Sequence, residues 1–176
     1  KKPRVLVTLS KETTYITEPL RPDGYPDYIA VLNQFASKGV TLENNAAVLL
    51  WRAFGPAEIA EEAREPFFKM LGTGPLPEKG DYFVSLDEYA KQSKGIGEPP
   101  GVPREDEEVP KVWDEQDRAM KGPWSKKDCP TLAGWLAANE KPLALVVEAT
   151  KRPRRYDPLV AAGEPAMVIA VLLPGL

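Results

Sequence analysis

Nineteen prolines in 176 residues, roughly twice the usual fraction, limit this chain to short elements. Each proline fixes φ and removes a backbone donor, so it kinks or ends a helix and is excluded from central strands. The expected fold is mainly α: an irregular helical bundle with proline-rich loops and a short extended N-terminal arm. A large sheet is not expected.

Apolar periodicity places the helices between the breaks. Arg4 to Leu9 and Thr13 to Thr17 are β-branched and read as the extended arm. Pro26 opens a helix with Asp27 in its first turn, and Tyr28, Leu32 and Phe35 form its apolar stripe before Gly39. Thr41 is the expected cap of a second helix, with Glu43 in its first turn and Leu42, Ala46, Leu49, Leu50, Ala53 and Phe54 as its buried face. Gly55 ends it and Pro56 begins a third, carrying Ile59, Ala63, Phe67, Met70 and Leu71 inward. Pro66 predicts a kink or break near residues 62–66, and Gly72 a C-cap. Ser85 to Glu88 has capping-box spacing for a short helix through Gln92. A proline- and glycine-rich stretch at 91–111 divides a bundle at 1–90 from a helical segment at 112–176. In that segment Ser125 or Asp128 can cap a helix to about Asn139. Residues 142–150 suit either a strand or a helix by length, and the spacing of Leu143, Val146, Val147 and Thr150 favours helix.

Composition excludes whole classes of chemistry. Without histidine, imidazole triads, histidine zinc sites and a histidine pH switch are impossible. The single Cys129 rules out an internal disulfide and cysteine-only zinc sites. The net charge of −3 does not suggest a general polyanion binder, and no specific nucleic-acid partner is expected. No apolar run reaches the roughly 20 residues that span a bilayer. GTG at Gly72 and GIG at Gly95 do not open a helix after a strand, so a dinucleotide fingerprint is rejected. Glu105 to Glu108 lacks calcium-loop spacing. No metal ligand set and no cofactor are expected.

The run TTYITEPLRPDGYPDYIAVLNQFASKGVTLENNAAVLLWRAFGP resembles a set of uncharacterised proteins from planctomycete bacteria. Trp124, Trp135, NEKPLALVVEAT at Asn139 to Thr150 and KRPRRYDPLV at Lys151 to Val160 extend the likeness. It implies an envelope-type protein with an N-terminal anchor and further helical sequence beyond Leu176, hence an envelope or periplasmic setting. The apolar run at 166–173 would then be an edge that meets a protein partner or a second copy.

Several groups are candidates for function. Lys151, Arg152, Arg154 and Arg155, followed by Tyr156, could bind an anion; the competing reading is a solvated turn paired with carboxylates. Glu148 lies among apolar neighbours, where burial would raise its pKa and suit acid/base work; the alternative is an ion pair with Arg152. Asn44 and Asn45 could hold a ligand or hydrogen-bond the Thr13 to Thr17 arm. Trp51, Trp113, Trp124 and Trp135 could line a groove or fill the core. Cys129 beside Lys126 and Lys127 could have a lowered pKa. Three readings follow: a noncatalytic helical interaction or scaffold domain of a larger envelope-associated protein, a carboxylate hydrolase acting on carbohydrate or peptidoglycan-like material, and an anion-binding module.

Overall fold

The computed structural model describes residues 6–93, 111–162 and 167–169, and the fold is mainly α. Its helices are α1 (Tyr28–Ala36), α2 (Ala46–Phe54), α3 (Glu61–Leu71), α4 (Leu86–Ser93), α5 (Lys111–Lys121), α6 (Pro130–Ala138) and α7 (Glu140–Ala149). A short antiparallel hairpin of β1 (Val160–Ala162) and β2 (Met167–Ile169) pairs Val160 with Ile169. No helix among the described residues exceeds 11 residues.

Helix α2 is the centre because it is apolar nearly all round, the pattern of a helix with no solvent face. Val48 and Trp51 meet Ile59 and the α3 residues Ala63, Phe67, Phe68 and Leu71. On the other side Leu49 and Leu50 meet Leu145, Val146 and Ala149 of α7. Burial of each large side chain contributes roughly 1.5–3 kcal/mol, so this sandwich is the main source of stability.

Several boundaries differ from the sequence expectation. Asp27 is not in the first turn of α1 but is its N-cap, accepting from the Ala30 amide at 2.9 Å. Thr41 does not cap α2. Instead the Thr41 amide donates to Asn44 Oδ1 at 2.8 Å and the Asn44 amide to Thr41 Oγ1 at 3.3 Å, closing a turn. The α2 cap falls to Asn45. Residues 56–59 form a turn rather than a helix, with the Ile59 amide on the Pro56 carbonyl. The break therefore precedes α3, which runs through Pro66. Glu62, whose carbonyl loses its partner to that proline, is solvent-exposed. Gly72, at φ 83°, ends α3 as expected: the Thr73 amide reaches back to the Phe68 carbonyl at 2.9 Å.

Among the described residues neither 6–9 nor 13–17 forms a strand. The amides of Thr13, Thr14 and Tyr15 converge on the Ser10 carbonyl, a local turn that hydroxyl-rich sequence can form in place of a strand. Residues 1–5 lie outside the described residues. Helix α5 and the hairpin were not anticipated, whereas residues 142–150 fall largely within α7 as the spacing indicated.

Helix α1 holds the largest reversal. Its stripe of Tyr28, Leu32 and Phe35 faces solvent at 53%, 54% and 81% exposure, and its buried residue is Asn33. A polar residue has displaced the apolar face from the core.

Candidate functional site

Residues 152–160 run as an irregular strap across α1 and α2, held by the candidates Asn45, Trp51 and Arg152 and by Asn33, which was not among them. Asn45 is fully buried. Its Oδ1 accepts from the Tyr156 amide at 2.9 Å and from the Ala47 amide at 3.1 Å, while Nδ2 donates to the Tyr156 carbonyl at 3.0 Å. Two amide donors on one atom fix that atom as the oxygen. One side chain thus caps α2 and pairs with both backbone groups of a single strap residue.

The same device recurs twice. Asn33 Oδ1 accepts from the Leu159 amide at 2.8 Å and Nδ2 donates to the Leu159 carbonyl at 2.8 Å. The Tyr156 hydroxyl also donates to Asn33 Oδ1, at 3.1 Å. Asn139, at the α6–α7 junction, accepts from the Val84 amide at 2.8 Å and donates to the Val84 carbonyl at 3.1 Å. A carboxamide has the donor and acceptor of a peptide group, so each asparagine acts as a one-residue strand partner for chain that has none. Without Asn45 the buried Tyr156 groups would each cost roughly 1–3 kcal/mol; those of Leu159 and Val84 are partly buried and would cost less.

Trp51 Nε1 donates to Asp157 Oδ1 at 2.9 Å, and Asp157 Oδ2 accepts from Arg155 Nε at 2.9 Å. The Trp51 ring is wholly buried, edge-on to Phe67 at 5.2 Å and Phe68 at 6.4 Å. Arg152 donates from one guanidinium nitrogen to the carbonyls of Leu42 and Asn45, at 2.6 and 2.8 Å. Parallel backbone bonds, Ala46 amide to Arg154 carbonyl and Arg154 amide to Asn44 carbonyl, complete the dock.

A second dock joins α2 to α6 and α7. Phe83 stands between Phe54 at 5.4 Å and Trp135 at 5.7 Å, and its amide donates to the Ala53 carbonyl. Trp135 Nε1 adds a bond to the Val84 carbonyl at 2.8 Å. Tyr82 covers Gly55, where a Cβ would stand 2.6 Å from the ring, so only glycine fits there at φ 78°.

The remaining candidates are placed as follows. Glu148 is not buried: its side chain is exposed and bonds Lys151 at 2.8 Å. That hydrogen bond and the lysine charge hold its pKa below the usual carboxylate range, the opposite of the rise that burial would cause. Lys151, Arg152 and Arg155 all have protein partners, and the exposed Arg154 side chain bonds nothing among the described residues. Asn44 bonds the Gly39 carbonyl and Thr41, not the N-terminal arm. Trp113 is exposed and Trp124 half-buried. Glu43 is exposed, its pKa lowered by the Thr41 hydroxyl. Cys129 is buried, and desolvation pushes its thiol up rather than down, with Glu115 adding to the rise. Apart from the backbone of β2, the apolar run 166–173 lies outside the described residues, as do 94–110 of the linker.

Sequence reasoning missed Asn33, Asn139, Asp157 and Glu115. Glu115 of α5 caps α6 from a distance. Its carboxylate accepts from Thr131 Oγ1 at 2.9 Å and from the Leu132 amide at 3.0 Å, where the helix dipole favours negative charge. The available signal was asparagine inside apolar helical sequence, as in YIAVLNQFA, which costs helix propensity unless the side chain is used.

Among the described residues, every buried side-chain nitrogen and oxygen has a partner, and no group of carboxylates and cysteine could hold a metal ion. No described helix is long and apolar enough to cross a membrane. The chain matches no family model, and no curated protein or solved structure is similar to it.

Proposed function

We propose that this chain is a noncatalytic interaction or scaffold domain of a larger bacterial envelope-associated protein, docking its partner through the outer face of α1. The inversion of α1 carries the reading. Asn33 is used to hold the strap, which turns Tyr28, Leu32 and Phe35 outward as a stripe about 10 Å long at 1.5 Å rise per residue. Burying Leu32 and Phe35 in a partner would contribute roughly 1.5–3 kcal/mol each. The candidate ligand residues Asn45, Trp51 and Arg152 support the same view, since their polar groups are committed to the fold.

The alternatives draw less support. A carboxylate hydrolase centred on Glu148 would need a desolvated acid, and Glu148 is exposed and lysine-paired. An anion module at Lys151 to Arg155 would have to break three existing sets of bonds to free its cations.

A photo-reactive benzoylphenylalanine at position 35, introduced in the native cell, should give a discrete cross-linked product. Leu32→Ser in the same chain should abolish it, and the probe at exposed Lys69 should give none. Absence of any product at position 35, or one indifferent to Leu32→Ser, contradicts α1 as the docking face.

A further inference from the structure

The connection from α5 to α6 is a loop clamped at its base. There the Arg118 guanidinium donates to the Asp128 carbonyl at 3.1 Å. The Asp128 carboxylate accepts from the Ser125 amide at 3.0 Å and hydroxyl at 2.6 Å, and the Asp128 amide returns to the Ser125 carbonyl at 3.0 Å. Lys126 and Lys127 are therefore the two central residues of a tight turn, and both are exposed. Lys121 is exposed as well, Met120 is 77% exposed and Trp124 is half-buried. Among the described residues the three lysines and the Trp124 indole make no hydrogen bond or ion pair, whereas Lys141 and Lys151 have carboxylate partners.

From Arg118 to Lys127 the chain carries four cations and no acid, against a net charge of −3 overall. Arg118 is used at the base, so the free charge is that of three lysines. A lysine is a point charge on a flexible stem and suits many separate anions, whereas one discrete anion is better held by the fixed fork of an arginine. A soluble polyanion would satisfy the lysines and leave Met120 in water. An anionic bilayer answers both: its phosphates meet the lysines, its acyl boundary takes the methionine, and a tryptophan N–H is at home among its headgroups. We infer that the loop of residues 120–127 binds the surface of an anionic phospholipid bilayer. The inference stands on elements other than α1 and does not depend on α1 meeting a protein.

Co-sedimentation of the purified chain with vesicles of equimolar phosphatidylglycerol and phosphatidylcholine tests the loop. Binding is expected at low salt, and it should weaken at least about tenfold on phosphatidylcholine alone or in about 0.5 M salt. Combining Lys121→Ser, Lys126→Ser and Lys127→Ser should weaken it by about 100-fold, at roughly fivefold per lysine. Met120→Ser should weaken it by about tenfold and leave the salt dependence in place. All four side chains are exposed, so the variants should fold, and thermal midpoints check that they do. Leu32→Ser should bind vesicles as the parent chain does, which separates this surface from the α1 stripe. The inference is overturned if the chain ignores the anionic vesicles, binds both kinds equally, or is unaffected by the triple lysine change. Binding to heparin or single-stranded DNA with no binding to vesicles assigns a soluble polyanion instead. Loss of vesicle binding in Leu32→Ser moves the lipid contact to α1 and overturns the loop.

Discussion

Replacing Asn45 by alanine is expected to remove about 4 kcal/mol of folding free energy, although it deletes only one small side chain. The lost cap on α2 accounts for about 1 kcal/mol. The remainder comes from the Tyr156 amide and carbonyl, both bonded to Asn45 in a buried setting and left unpaired at roughly 1–3 kcal/mol each. Against a total of roughly 5–15 kcal/mol for a domain, the variant is close to the limit of stable folding. The neighbouring Asn44→Ala provides the control. Its bonds, to Gly39 and Thr41, are exposed and local, so it should cost no more than about 1 kcal/mol. Urea unfolding of the pair separates the two positions. A cost below about 1.5 kcal/mol for Asn45→Ala would mean that the strap is held by something else.

Trp51→Ala should be the more damaging change, at about 5 kcal/mol, and should leave much of the chain unfolded at 25 °C. Deleting the indole opens a void beside Phe67 and Phe68 and also takes the partner from Asp157 Oδ1. Trp51→Phe divides the two contributions. It keeps most of the ring packing and loses the Nε1 bond, so it should cost only about 1–2 kcal/mol. Asp157 retains Arg155, which limits that loss. Circular dichroism with denaturant titration reads both. Equal costs for the two variants would place the whole effect in the hydrogen bond, against the picture of Trp51 as a packing centre.

Apolar periodicity made α2 and much of α3 legible, although Leu42 and Met70 of their expected faces are exposed; at α7 it gave the helix and not the face, since Val147 and Thr150 are exposed and Ala149 is buried. It misled at α1, where the apolar stripe exists but a single asparagine bonded to Leu159 decides which face turns inward. Such a bond joins residues 126 positions apart, and no local pattern encodes it. Thr41 illustrates a closer competition. It has the right chemistry for a cap, yet four residues later Asn45 does the same job and also holds the strap. The candidate site was legible as residue types and not as roles. Asn45 was singled out as a ligand amide, Trp51 as a groove or core aromatic, and Arg152 and Arg155 as part of a basic cluster, and they do act together. They act on the chain's own backbone.

Amide hydrogen exchange at Tyr156, Leu159 and Val84 tests most directly whether asparagine side chains hold the extended segments in place. These three residues belong to no helix or strand, so regular structure gives no reason for protection. If the asparagines clamp them, their exchange should be slowed by roughly 10⁴-fold or more, comparable to the core amides of α2. In Asn45→Ala the Tyr156 amide should lose protection before Val84 does. Exchange at Tyr156 and Leu159 near the rate of an unprotected chain, with α2 still protected, would contradict the account.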